Sequence, residues 1–270
     1  MQGLRSKGMV LVFLVALPAL AAPPDSPPLP GNLPGAGPPP TLPAQGSVSA
    51  LDVPLHLAAD AAATYQRIAD YTCVFIKRER IRGQLQPDQV LTMRVRSNPF
   101  SVYLFWNGPP ALKGQEACYV QGRNNGMVRV HPTGVRGAFG FVSLDPQDPR
   151  VLEDNRHPIT EAGIGHLIER TLAFWQKERW MNQTQVRIAD YEYNRRKCTR
   201  VETIHPSLNT GQFYAYRTVI YFDKENHLPI RVETYDWPHP GGPPQGDLLE
   251  SYSYVDLRLN VGLSEQAFHY

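Results

Sequence analysis

The chain has little cysteine, little excess charge and, past its first 21 residues, no long apolar run. Each shortage excludes something. The three cysteines are Cys73, Cys118 and Cys198, and no C-x-x-C spacing occurs, which argues against a dithiol redox enzyme. Neither H-E-x-x-H, the G-x-S-x-G nucleophile elbow nor a phosphate-binding P-loop is present. The eight histidines are scattered. His166 and Glu169 share one side of a predicted helix, with His157 nearby, but a metal site needs three or four converging ligands. No metal or other cofactor is expected. Glu79, Glu116, His131 and His166 could carry acid–base chemistry, yet nothing in the sequence brings them together. The chain reads as non-enzymatic.

The 27 Lys+Arg barely exceed the 25 Asp+Glu. Arg5 and Lys7 precede the apolar run Met9 to Leu17, and Ala19 and Ala21 follow at the small-residue positions of an A-x-A cleavage site. This is the pattern of a secretory signal over residues 1–21. Pro18 stops the run well short of the about 20 apolar residues of a spanning helix, although an uncleaved anchor is the alternative. Removal of the signal removes two cations and no acid, leaving a neutral chain without the basic footprint that nucleic acid binding requires. The expected location is outside the cytoplasm, in a periplasm or cell envelope.

Residues 22–50 are a proline-rich linker. Ten of the residues between 23 and 46 are proline, and Asp25 is the sole charge there. Such a stretch cannot bury enough apolar surface to offset its ordering entropy. As polyproline II, at about 3.1 Å per residue, it would reach about 75 Å.

Residues 51–270 read as one domain, without an internal repeat or a second linker. It opens with a helix, for which Asp52 is the expected N-cap and Pro54 fits the first turn. The apolar period then switches to two. Ten strands follow: YTCVFIKRERI, QVLTMRVRS, FSVYLFW, GQEACYVQG, MVRVHP, QVRIADYEYN, KCTRVETIHP, FYAYRTVIYFD, LPIRVETYDW and LLESYSYVDLRL. A second helix, ITEAGIGHLIERTLAFWQ, interrupts them. Thr160 is its expected N-cap, and Ile164, Leu167, Ile168, Leu172 and Trp175 form its apolar stripe. Gly163 and Gly165 weaken its start, so it can be a lid over the sheet or a plain core helix. The expected class is α+β: a large curved antiparallel sheet of about ten strands, half-barrel-like, with an N-terminal helix and a lid-like second helix.

The stretch KRERIRG, residues 77–83, is the most charged part of the first strand. Alternation puts Cys73, Phe75, Lys77, Glu79 and Ile81 on one face and Val74, Ile76, Arg78 and Arg80 on the other. Neither face is cleanly apolar. The expectation is a solvated, ion-paired hairpin in which Glu79 pairs with Arg94 or Arg96 of the next strand. Other strands carry aromatics at alternate positions: Tyr103 and Phe105, Tyr214 and Tyr216, Tyr252 and Tyr254. With Leu167 and Trp175 of the second helix, these are the candidate lining of a pocket for an apolar ligand. Periodicity leaves open whether they instead pack solidly against the helices.

Several motifs resemble a known bacterial envelope family, domain of unknown function 1571. They are YTCVFIKRERIRGQL, RVRSNPFSVYLFW, KGQEACYVQGRNNG, RHPITEAGIGHL, VIYFDKENHLPIRVETYDWP and SYVDLRLNVGLSEQAF, in order across roughly residues 55 to 270. The C-terminal half is similar in layout to the periplasmic lipoprotein carrier and its outer-membrane receptor. That resemblance implies an open half-barrel, closed by helices, that holds acyl chains. The expected function is an exported binding protein for a lipid or lipoprotein acyl chain, with a lipid or lipidated protein as partner and contact with a membrane surface or envelope proteins. The alternative is a solid structural or interaction protein of the envelope with no ligand. In an exported chain, one disulfide and one free thiol are allowed. Three pairings are possible; Cys73–Cys198 would tie the first strand to a distant one, and three reduced, buried thiols are the other possibility.

Overall fold

A computed structural model of the protein describes residues 49–134, 140–206 and 211–268. The expected signal and nearly all of the linker lie outside the described residues. Helix α1 spans Asp52–Tyr65. Seven strands follow: β1 (Asp70–Ile81), β2 (Gln84–Leu85), β3 (Gln89–Arg96), β4 (Ser101–Gly108), β5 (Glu116–Val120), β6 (Val128–His131) and β7 (Val142–Leu144). The short helix α2 (Pro149–Leu152) and the long helix α3 (Ile164–Met181) come next. The chain closes with β8 (Gln185–Tyr193), β9 (Arg196–Ile204), β10 (Arg217–Asp223), β11 (Pro229–Tyr235) and β12 (Leu248–Leu259). The ten expected strands are all formed. β2 and β7, of two and three residues, are too short to show a period and were not expected.

The twelve strands make one antiparallel sheet in the order β7-β6-β5-β4-β3-β1-β12-β11-β10-β9-β8, with β2 attached to β1. β7 and β8 are its two edges and do not pair, so the sheet is open. Two runs of hairpins are stitched together at the centre, where the first long strand pairs with the last: Phe75 faces Tyr254, Lys77 faces Tyr252 and Glu79 faces Glu250.

The main core lies between the inner sheet face and α1 and α3. It holds Cys73, Phe75, Leu91, Met93, Val102 and Trp106 from the sheet and Ile164, Leu167, Ile168 and Trp175 from α3. The start of α3 differs from expectation. Residues Ile159–Glu161 form a separate 3-10 turn, and α3 begins at Ile164 after Gly163. Thr160 therefore does not cap it. Instead the Tyr71 hydroxyl accepts the Ile164 backbone N–H at 2.8 Å. Gly163 has φ +100°, and a Cβ there would stand 2.7 Å from that hydroxyl. A Cβ on Gly165 would stand 2.5 Å from the Tyr65 ring, so this glycine lets α1 and α3 approach closely. Asp52 is the first residue of α1 rather than its N-cap; its carboxylate accepts the Ser49 N–H and pairs with Arg179 of α3.

The outer face is polar where it meets solvent. Glu202 bridges Arg200 and Arg217, and Arg231 pairs with Glu233. The Cys73–Cys198 pairing is not formed: all three cysteines are free and buried. Cys73 sits in the main core, whereas Cys198 belongs to a small outer cluster with Val219, Tyr221 and Ile230. Their strands are four steps apart in the sheet, roughly 19 Å at normal strand spacing, far beyond a disulfide's Cα separation of under about 7 Å.

Candidate ligand cavity

Under α2, the segment after it and the first turns of α3, the inner sheet face is not filled. A cavity of about 500 Å³ opens there, within the about 300–1,000 Å³ typical of small-molecule sites. Its walls change character across the sheet. Strands β3 to β7 contribute Leu91, Leu104, Ala117, Val128, Val130 and Leu144, with Trp106 and the amides of Gln89 and Gln115 toward one edge. Strands β1 and β12 contribute Phe75, Tyr252 and Tyr254, but also Lys77 and Glu79. The roof is formed by residues such as Val151, Asn155, His157, Ile159, Leu167 and Arg170.

The charged end is a built network. Lys77 and Glu79 are 7% and 5% exposed and Glu250 is fully buried. Lys77 Nζ donates to Glu79 Oε2 at 3.1 Å and to Asn155 Oδ1 at 2.8 Å. Tyr252 Oη donates to Glu79 Oε1 at 2.5 Å and lies 3.2 Å from Glu250 Oε2. That same Glu250 oxygen is 2.8 Å from His157 Nε2, 3.1 Å from Arg156 Nε and 3.2 Å from Tyr214 Oη. Arg170 lies against the His157 ring, with Nη2 3.8 Å from Glu250 Oε1. Burial alone would raise the Glu250 carboxyl, but the His157 hydrogen bond and the field of His157, Arg170 and Arg156 outweigh it and bring it down to about 2. Tyr252 moves the other way: burial and the Glu250 and Glu79 charges hold its phenol well above its ordinary value, so it stays a neutral donor.

Glu79 thus pairs with Lys77 and Tyr252, not with Arg94 or Arg96. Arg94 lies over the Tyr103 ring and Arg96 pairs with Glu265. The face of β1 carrying Lys77 and Glu79 is not solvated, because the segment after α2 covers it.

Of the expected lining residues, Leu167, Tyr252 and Tyr254 border the cavity. Tyr103 and Phe105 belong to the other face of β4, where the Tyr103 hydroxyl donates to Glu116 and its ring packs beside Cys118 and Phe268. Trp175 is buried on Phe222, away from the opening. Tyr214 stacks on Phe174 and joins the Glu250 network from behind. Tyr216 packs against Trp237. Among the residues considered for chemistry, Glu116 and His131 are cross-strand partners, Glu79 is in the cavity wall, and His166 of α3 contacts Phe100, which precedes β4. No group of three or more His, Cys, Asp or Glu with metal-binding placement occurs among the described residues.

A family model described as a protein of unknown function (DUF1571) matches residues 68–270. No curated protein matches the sequence. Among solved structures, an uncharacterized conserved protein from Thermus thermophilus is similar at 9% identity and TM-score 0.46, over 81% of this chain and 94% of that one. Lipoprotein LppX of Mycobacterium tuberculosis is similar at 10% identity and TM-score 0.44, over 78% and 96%. A putative outer membrane lipoprotein-sorting protein domain from Vibrio parahaemolyticus is similar at 12% identity and TM-score 0.36, over 80% and 95%.

Proposed function

The chain belongs to the DUF1571 family of proteins of unknown function, and we propose that it is a non-enzymatic binding protein that holds one apolar ligand, a lipid or a lipoprotein acyl chain, under the roof of its open sheet. The observation that carries this is the unfilled inner face between β3–β7 and the α2–α3 segment. A solidly packed envelope protein would have no reason to leave Val130, Leu144 and Ile159 partly exposed around a space of about 500 Å³, because each unburied apolar surface forgoes roughly 25 cal/mol per Å². At about 30 Å³ per small group, the space takes one chain of roughly sixteen methylenes rather than several. The rest of the reading is an exported protein with a signal at 1–21, a tether at 22–50 and a binding domain at 51–270, working in a periplasm or cell envelope. No helix among the described residues is long and apolar enough to cross a membrane.

The test is saturable uptake of 1-N-phenylnaphthylamine by delipidated protein, with Ala117→Trp as the blocked variant. Ala117 lies on the cavity floor, and an indole there projects into the space and obstructs it. Wild type should bind with a fluorescence rise and the variant should lose at least tenfold in affinity while keeping its circular dichroism. Absence of saturable binding in the wild type would sink the reading.

A further inference from the structure

The cavity's buried charges are gathered where β1 and β12 meet, and that end has donors to spare. We propose that the occupant is a single-chain amphiphile with an anionic head, its tail directed toward β6 and β7 and its head held at Lys77. This rests on the binding reading above and names the ligand class for the same cavity.

The direction of the ligand follows from the strand order. From β12 and β1 to β7, the inner-face lining passes from Lys77, Glu79 and Tyr252 through Leu91 and Leu104 to Val128, Val130 and Leu144. A chain of methylenes gains from the second region and would desolvate the first for nothing. A polar head does the reverse.

The sign of the head follows from the donors left in the wall. Lys77 is buried and paired with Glu79, while Arg156 and Arg170, each about a quarter exposed, face the buried Glu250. A buried carboxylate or phosphate is strongly disfavoured unless a cation meets it, so a wall cation with an unused N–H suits an anion. Lys77 has the means: an ammonium has three N–H groups, and only two are used, on Glu79 and Asn155. Beside it, Gln89 is its cross-strand partner. The Gln89 carbonyl accepts the Trp106 indole N–H at 2.7 Å, which turns the amide so that its NH₂ has no partner among the described residues. One ammonium N–H and one amide NH₂ thus stand side by side in the wall. The carboxylates of Asp154 and Glu161 also border the opening, but both are exposed, and Glu161 is engaged by His157 at 3.6 Å. Solvent screens them, and they set the rim rather than the interior. Asp148, half-buried, stands with them at the mouth.

The experiment is displacement of 1-N-phenylnaphthylamine from the full-length protein by laurate, lauryl phosphate and methyl laurate, which share a tail and differ in the head. Wild type should prefer at least one anion over the ester by tenfold or more, and the stronger anion identifies a fatty acid or a phosphate-headed lipid as the source. Lys77→Met should erase that preference, weakening the anions at least tenfold more than it weakens methyl laurate. Because that change leaves Glu79 without its cation, Lys77→Met/Glu79→Gln is measured beside it; the glutamine still accepts from Tyr252. Equal binding of ester and anions by wild type, or an anion preference that survives both variants, overturns the proposal. Failure of the wild type to bind the probe at all would instead remove the binding reading on which it stands.

Discussion

The Tyr71 hydroxyl accepts the backbone N–H of Ile164 at 2.8 Å, so a side chain from the first long strand closes the first turn of α3. The first N–H groups of a helix have no partner within it. Here Gly163, the residue before the helix, has no side chain to serve, and Ile164 is completely buried, out of reach of water. Tyr71→Phe keeps the ring and removes only the acceptor. It should destabilise the protein by about 1–3 kcal/mol, the cost of an orphaned buried donor. Chemical denaturation of the two proteins checks it, and an unchanged midpoint would mean that the turn finds another acceptor.

A related contact sets how closely the helices approach. Gly165 of α3 faces the Tyr65 ring of α1, where a Cβ would come within 2.5 Å. Gly165→Ala gains helix propensity worth about 1 kcal/mol but overfills the contact, at a typical cost of about 1–3 kcal/mol. The net effect should be destabilising in the wild type. In a Tyr65→Leu background, where the ring is gone, the same substitution should be neutral or stabilising. A double-mutant cycle reads the difference directly. Additive effects would show that the ring is free to move away.

Much of this architecture was legible because most strands are long and several, such as β3 and β11, alternate cleanly. The ten strands longer than three residues announce themselves through period two, and the apolar stripe from Ile164 to Trp175 announces α3. What alternation cannot give is the neighbour. Lys77 and Glu79 read as solvated because charged residues on a strand usually are; their burial depends on α2 and the segment to His157, far along the chain. A signal was nevertheless present. Glu250 shares a face with Tyr252 and Tyr254, as Lys77 and Glu79 do with Phe75, and pairing β1 with β12 superposes the two sets. Pairing of the first strand with the last was not deducible from either alone. The aromatic pairs were misleading for a similar reason. Tyr103 and Phe105 alternate as well as Tyr252 and Tyr254 do, but face the other way, and periodicity does not say which face is inside. The caps at Asp52 and Thr160 failed because composition identifies a residue able to cap, while the actual acceptor for α3 lies on another element.

The three cysteines should behave as inert thiols. Burial pushes the Cys73 thiol well above its ordinary range, and it raises Cys118 to about 12 despite the opposing charges of Arg129 and Arg96. Burial also raises Cys198, with the nearby Asp223 charge adding to it. Since the thiolate is the reactive species, native protein should give almost no reaction with a chromogenic disulfide reagent at pH 8. Denatured, unreduced protein should release three equivalents. One equivalent instead of three would reveal a disulfide.

Glu250 should make the protein sensitive to acid. Its carboxyl is fully buried and titrates near 2 in the folded chain, against an ordinary 4.5. The folded form therefore prefers the carboxylate more strongly than the unfolded chain does. The associated stability is complete above about pH 4.5 and is lost as pH falls toward 2. At about 1.4 kcal/mol for each pH unit between the two values, it is on the order of 3 kcal/mol. Glu250→Gln keeps the shape and an acceptor oxygen but removes the charge that Arg156 and Arg170 face. At pH 7 the variant should be the less stable by roughly that amount. Denaturation curves collected between pH 7 and pH 2.5 should converge, because the wild type loses by protonation what the variant already lacks. A constant gap across that range would show that the glutamine is destabilising through its geometry, and that the charge of Glu250 is not what holds His157, Arg156 and Arg170 over the sheet.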